Sequence, residues 1–101
     1  MSVDTDVVID ERIETTVKEP GRYRVIFLND NKTPMEFVVD VLVKIFRHSQ
    51  ETAEKVTLNI HTEGAGTAGV YSFEVAEQKG TETTELARSN GFPLRVKIEA
   101  E

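Results

Sequence analysis

Apolar side chains recur along this chain with two different periods, and the switches between them mark out six elements. From Tyr23 to Leu28 the residues Tyr23, Val25 and Phe27 alternate with Arg24, Ile26 and Leu28. The far half of that run is apolar on both sides, which predicts a central strand. From Pro34 the spacing lengthens. Val38, Val41, Leu42 and Ile45 recur at helical intervals, with Phe37 and Phe46 widening the stripe. Ala53, Val56, Thr57 and Ile60 repeat the pattern of one buried helical edge, predicting a second helix that packs by that edge. Residues 64–71 are small and end in Val70-Tyr71, as in a strand that passes close to another backbone. A third helix follows, with Phe73, Val75, Ala76, Leu86 and Ala87 as its apolar contacts and a weak middle at Gly80, Thr81, Thr83 and Thr84. Leu94, Val96 and Ile98 then alternate with Arg95, Lys97 and Glu99, giving a last strand with one wet face. The order predicts an α+β fold: a small β-α-α-β-α-β sandwich, with a three-stranded antiparallel sheet and three helices packed on one face.

The element ends carry their own chemistry. Thr33 reads as the N-cap of the first helix, Pro34 as its first helical residue and Glu36 as the partner that closes a capping box. Arg47 and His48 fall where cations complement the carboxyl end of that helix. Ser49 and Ser72 read as the next two N-caps, Gly64 as a left-handed C-cap that leaves His61 in the last turn, and Asn90-Gly91 as the stop of the third helix. Pro20-Gly21 breaks the pattern before the first strand. Residues 1–20 hold six acids against Arg12 and Lys18, four of the six net negative charges. They are expected to form a flexible acidic N-terminal extension, with residues 21–101 as the core domain.

Length and charge remove several functions. A chain of 101 residues with no cysteine has room for one modest core and has neither disulfides nor thiolate metal sites, which suits a reducing compartment and makes the cytoplasm the default. No run approaches the roughly 18 apolar residues of a membrane span. The net charge of −6, with Lys and Arg interleaved among acids, speaks against nucleic acid. There is no Gly-rich phosphate loop, no HExxH, and only two histidines, so no catalytic arrangement, metal or cofactor is expected.

What remains is a polar cluster between a strand and a helix. Asn29, Asp30 and Asn31 offer one carboxylate and two amides, followed directly by the broad apolar face of the first helix. Such a turn is suited to holding a cation by charge-assisted hydrogen bonds, with an apolar group held beside it. The same residues also make ordinary turn and cap chemistry. His61 is open to both readings, a helix-end histidine or a partner of that turn, depending on whether the two lie side by side.

The run from Tyr23 to Phe46, with Leu28-Asn-Asp-Asn-x-Thr-Pro-Met-Glu-Phe-Val38, closely resembles the ClpS family of N-end-rule adaptors. The likeness continues through His61, Gly64, Gly69-Val70, Glu74-Val-Ala-Glu-x-Lys79, Ala87-Arg88 and Pro93-Leu94. It implies a monomeric, non-enzymatic adaptor. Such a protein binds others by a free N-terminal Phe, Tyr, Trp or Leu (an N-degron) and delivers them to a Clp AAA+ unfoldase, ClpA or ClpC, for degradation by ClpP. By position the resemblance assigns Asn29, Asp30 and His61 to the α-ammonium. It assigns Met35, Val38, Thr57, Ile60 and Leu94 to the side-chain pocket, with Thr33 at its mouth, and Glu74 and Lys79 to the unfoldase's N-terminal domain. Asn31 stands where many members have a second Asp, and Thr57 where many have Met. An alternative role is a regulator that occupies the unfoldase N-domain and inhibits degradation of other substrates.

Overall fold

The computed structural model describes residues 21–101; the acidic extension expected over residues 1–20 lies outside them. Six elements follow the expected order: β1 (Tyr23–Leu28), α1 (Met35–Lys44), α2 (Gln50–Glu63), β2 (Ala65–Tyr71), α3 (Phe73–Ser89) and β3 (Arg95–Ala100). The three strands form an antiparallel sheet in the order β2-β1-β3. β1 is central, as its apolar far half requires: Val25 and Phe27 are fully buried and Ile26 nearly so.

The core joins Val25 and Phe27 of β1 to Val38, Val41 and Leu42 of α1, Phe46 of the turn after α1, Ala53 and Ile60 of α2, Ala68 of β2, Ala76 and Ala87 of α3, and Leu94. Phe27 meets Phe46 edge-to-face at 5.4 Å between ring centres, and Phe37 meets Phe92 in the same way at 4.9 Å. This edge-to-face contact is the preferred aromatic geometry. β2 carries a bulge opposite Val25 and Ile26. The carbonyl of Ala68 there accepts a hydrogen bond from His48 Nε2 at 2.5 Å. His48 therefore has a specific partner, beyond the helix-end charge expected of it.

Three expectations about the helices are corrected. Thr33 does not cap α1, and Glu36 closes no capping box: Pro34 stands at the cap in extended conformation, with no side-chain hydrogen bond there. The reason lies in the preceding turn, where the Thr33 hydroxyl donates to Asp30 Oδ2 at 2.8 Å instead. At the other end α1 stops at Lys44, and Phe46 is buried beyond it in a closing turn where His48 N–H donates to Leu42 O. Arg47 takes the left-handed conformation of that turn, with φ 63°. In α3, Phe73, Val75 and Leu86 are largely exposed, and the buried face is Ala76, Gly80, Thr83 and Ala87. Small side chains form that face because α3 crosses the sheet closely; the stretch of weak propensity is the one held by tertiary contact. Ser49 and Ser72 cap α2 and α3 as expected, accepting from Thr52 N–H and Val75 N–H, and Gly64 ends α2 at φ 91°.

Candidate functional site

The turn after β1 is built around one carboxylate. Asp30 Oδ1 accepts from the backbone N–H of Lys32 at 2.8 Å and of Thr33 at 2.7 Å, while Oδ2 accepts from the Thr33 hydroxyl. A carboxylate has about four acceptor positions, so about one remains for a ligand. Burial pushes the Asp30 carboxyl up, but these hydrogen bonds and the charge of Arg88 together outweigh it, and its pKa lies below the ordinary value.

A second contact fixes what lies beside that turn. Asn29 N–H donates to Gly64 O at 2.9 Å, and Leu28 pairs with Ala65 across the sheet. The left-handed C-cap of α2 is thereby tied to the end of β1, which carries the last turn of α2, and His61 with it, up to the Asn-Asp turn. Packing underneath is tight: a β-carbon on Gly66 would come within 2.7 Å of Ile60 Cγ1, so the absence of a side chain lets α2 sit directly on β2.

Between these elements lies a cavity with about 270 Å³ of empty space, part of it open to solvent. Leu28, Asn29, Asp30, Thr33, Met35, Val38, Thr57, Ile60, His61 and Leu94 line it. All nine residues expected at the ammonium and side-chain positions are thus brought together, drawn from the β1 turn, α1, α2 and the segment before β3. The lining combines the polar side chains of Asn29, Asp30, Thr33, Thr57 and His61 with the apolar ones of Leu28, Met35, Val38, Ile60 and Leu94. No side-chain hydrogen bond joins the Asn29 amide or the His61 ring to another described residue. No group of three or more metal-ligating side chains occurs among the described residues.

Two contributors went unassigned in the sequence. Leu28 lines the cavity from the end of β1, where strand alternation gives no sign of a pocket. Arg88 donates from Nη1 to both Phe92 O and Leu94 O at 2.9 Å, which fixes the segment that presents Leu94, and its charge also acts on Asp30. The only sequence signal for it was the Ala87-Arg88 match, which carried no role.

The two residues expected to meet a partner stand elsewhere and differ from each other. Glu74 is exposed in the first turn of α3. Lys79 is half-buried: its ammonium donates to Ile45 O at 2.7 Å and lies 5.8 Å and 5.4 Å from the ring centres of Phe46 and Tyr71. It therefore closes the carboxyl end of α1 as well as edging a surface.

Comparison with known proteins agrees with this arrangement. The family model described as ATP-dependent Clp protease adaptor protein ClpS matches residues 18–97. The Clp protease adapter protein ClpS of Hyphomonas neptunium is 45% identical over 96 residues, covering 95% of this chain and 80% of the relative. That of Oleidesulfovibrio alaskensis is 47% identical over 96 residues, covering 95% and 88%. Agrobacterium tumefaciens ClpS2, solved bound to L-phenylalaninamide, superposes with a TM-score of 0.79 at 40% identity, over 82% of this chain and all of that one. The chain belongs to the ClpS family, the adaptor proteins of the ATP-dependent Clp protease.

Proposed function

We propose that this chain binds proteins by a free, bulky hydrophobic N-terminal residue and hands them to a Clp AAA+ unfoldase, ClpA or ClpC, acting as a cytoplasmic monomer that catalyses nothing itself. An N-terminal residue presents an ammonium and a side chain from a single carbon. The observation that carries the reading is that Asn29, Asp30 and His61 line the same cavity as the apolar side chains of Met35, Val38, Ile60 and Leu94. Asp30 supplies the countercharge, held ionised by its own turn. Asn29 Oδ1 and a ring nitrogen of His61 supply two further acceptors. Thr33 braces Asp30 at the mouth, and Met35, the most exposed of the apolar lining residues named here at 42%, is placed to adjust over a bound side chain. In a relative, the ClpS2 of Agrobacterium tumefaciens, the ligand is L-phenylalaninamide, which has this ammonium-plus-ring chemistry.

Fluorescence polarisation with a labelled Phe-initiated peptide tests it directly. Binding is expected with a free α-amine and is expected to disappear when the same peptide is N-acetylated, since acetylation removes the charge and two of the donors. Equal binding of the two peptides would refute recognition of the chain end.

A further inference from the structure

Thr57 is the one buried side-chain hydroxyl among the described residues that has no hydrogen-bond partner. Its residue is only 3% exposed, and it lies in the wall of the cavity. Helical threonines ordinarily satisfy themselves by donating to the carbonyl one turn back. Two others in this protein do so: Thr62 donates to Leu58 O at 3.1 Å and Thr83 to Lys79 O at 2.8 Å. Thr57 does not, although its helix offers the same carbonyl geometry. A buried hydroxyl left without a partner costs about 1–3 kcal/mol, so its persistence calls for a group that satisfies it. Thr57 stands one turn before His61 on the same edge of α2, about 6 Å along the axis. It is thus placed toward the far end of a side chain whose ammonium sits at His61, and among the apolar lining of Val38, Ile60 and Leu94 it is the polar exception.

We infer that the Thr57 hydroxyl determines specificity within the pocket by hydrogen-bonding the phenol of an N-terminal tyrosine. The inference rests on the function proposed above and adds the side chain that the pocket selects. A hydroxyl both donates and accepts, as a phenol does, so each satisfies the other. Phenylalanine in the same position leaves Thr57 unpartnered. A methionine here would offer the phenol at most a weak acceptor.

The test compares otherwise identical Tyr- and Phe-initiated peptides, by fluorescence polarisation, on the native protein, Thr57→Val and Thr57→Ser. Valine keeps the shape and removes the hydroxyl; because the hydroxyl is orphaned in the free protein, the variant should melt no lower than the native one. The Tyr-to-Phe affinity ratio is expected to fall about 3- to 10-fold in Thr57→Val, the range of one neutral hydrogen bond, and to be retained in Thr57→Ser. An unchanged ratio in Thr57→Val, with binding still dependent on a free α-amine, overturns the assignment of Thr57 alone. Binding indifferent to acetylation overturns the proposed function, and this inference with it.

Discussion

Asp30 organises the site at the scale of single residues, and it does so twice. It holds its own turn through three hydrogen bonds and leaves about one acceptor position facing the cavity. Its carboxyl pKa is depressed in the folded protein relative to the ordinary 3.8. A depressed carboxyl contributes stability that is fully present above its unfolded value and is lost as pH falls through the folded one. The gap in melting temperature between the native protein and Asp30→Asn should therefore be constant from pH 7 to pH 5 and should shrink as the pH drops below about 4. A gap that persists at pH 2.5 would mean the charge does not hold the turn. At neutral pH, Asp30→Ala should weaken a Phe-initiated peptide by about 1.5–3 kcal/mol, the value of a hydrogen bond to a charged group, and a loss under about tenfold would place the ammonium elsewhere. His61 is tested by substitution: His61→Ala should remove one acceptor for the ammonium and weaken a Phe-initiated peptide by about tenfold or more, and an unchanged dissociation constant would show that His61 does not face the ligand. The polar turn of Asn29 and Asp30 was legible in the sequence from residue type, whereas His61 was joined to it only by the family resemblance. The place of Thr33 was not legible, because a threonine three residues after an aspartate fits a cap and an Asp-centred turn equally well; in the structure Asp30 accepts from both the Thr33 N–H and the Thr33 hydroxyl, and the cap falls one residue later at Pro34.

At the scale of elements, the strands and the limits of α2 followed from pattern, and the buried face of α3 did not. Periodicity finds faces made of large apolar side chains, whereas Gly80 and Thr83 are completely or almost completely buried without carrying that signal. Two glycines show the difference between contact that needs a bare backbone and contact that merely tolerates one. A methyl on Gly80 would lie 3.5 Å from Ile98 Cδ1 and 3.6 Å from Val96 Cγ1, ordinary packing distances, in a groove between α3 and β3. Gly80→Ala should accordingly stabilise by about 0.5–1 kcal/mol through helix propensity, raising the melting temperature by several degrees for a domain of this size. Gly66→Ala should do the reverse. Its methyl would push on Ile60, which is buried in the core and lines the cavity, at a cost of about 1–3 kcal/mol. Thermal melts of the two variants check both signs, and a Gly66→Ala protein as stable as the native one would show that α2 is free to shift on β2.

Across the whole molecule, β1 separates the cavity from the start of α3, where the family resemblance assigns Glu74 to a partner. Leu28 at its far end lines the cavity, whereas Tyr23 at its start packs edge-to-face on Phe73, at 5.1 Å between ring centres, beside exposed Glu74. Five strand steps separate those ends, about 17 Å, so a ligand in the cavity leaves the start of α3 uncovered. That separation is not readable from the residues themselves, since it depends on α2 folding back to the end of β1 and α3 beginning at its start. We propose that Glu74 meets the unfoldase, which makes binding and delivery separable by mutation. Lys79 is a poor probe, because removing it also strips Ile45 O of its donor and exposes the rings of Phe46 and Tyr71. Glu74 touches none of this. Glu74→Lys reverses a surface charge and should leave the dissociation constant for a Phe-initiated peptide within about twofold, since the charge lies beyond a Debye length, about 8 Å at physiological salt, from the cavity. In a reconstituted reaction with the cognate unfoldase, ClpP and a Phe-initiated reporter, the native chain is expected to accelerate loss of the reporter, and Glu74→Lys to abolish most of that gain. Native protein that slows degradation while binding the peptide would instead identify the regulator, a domain that occupies the unfoldase without delivering. A Glu74→Lys variant that still accelerates degradation fully would move the docking surface away from the start of α3.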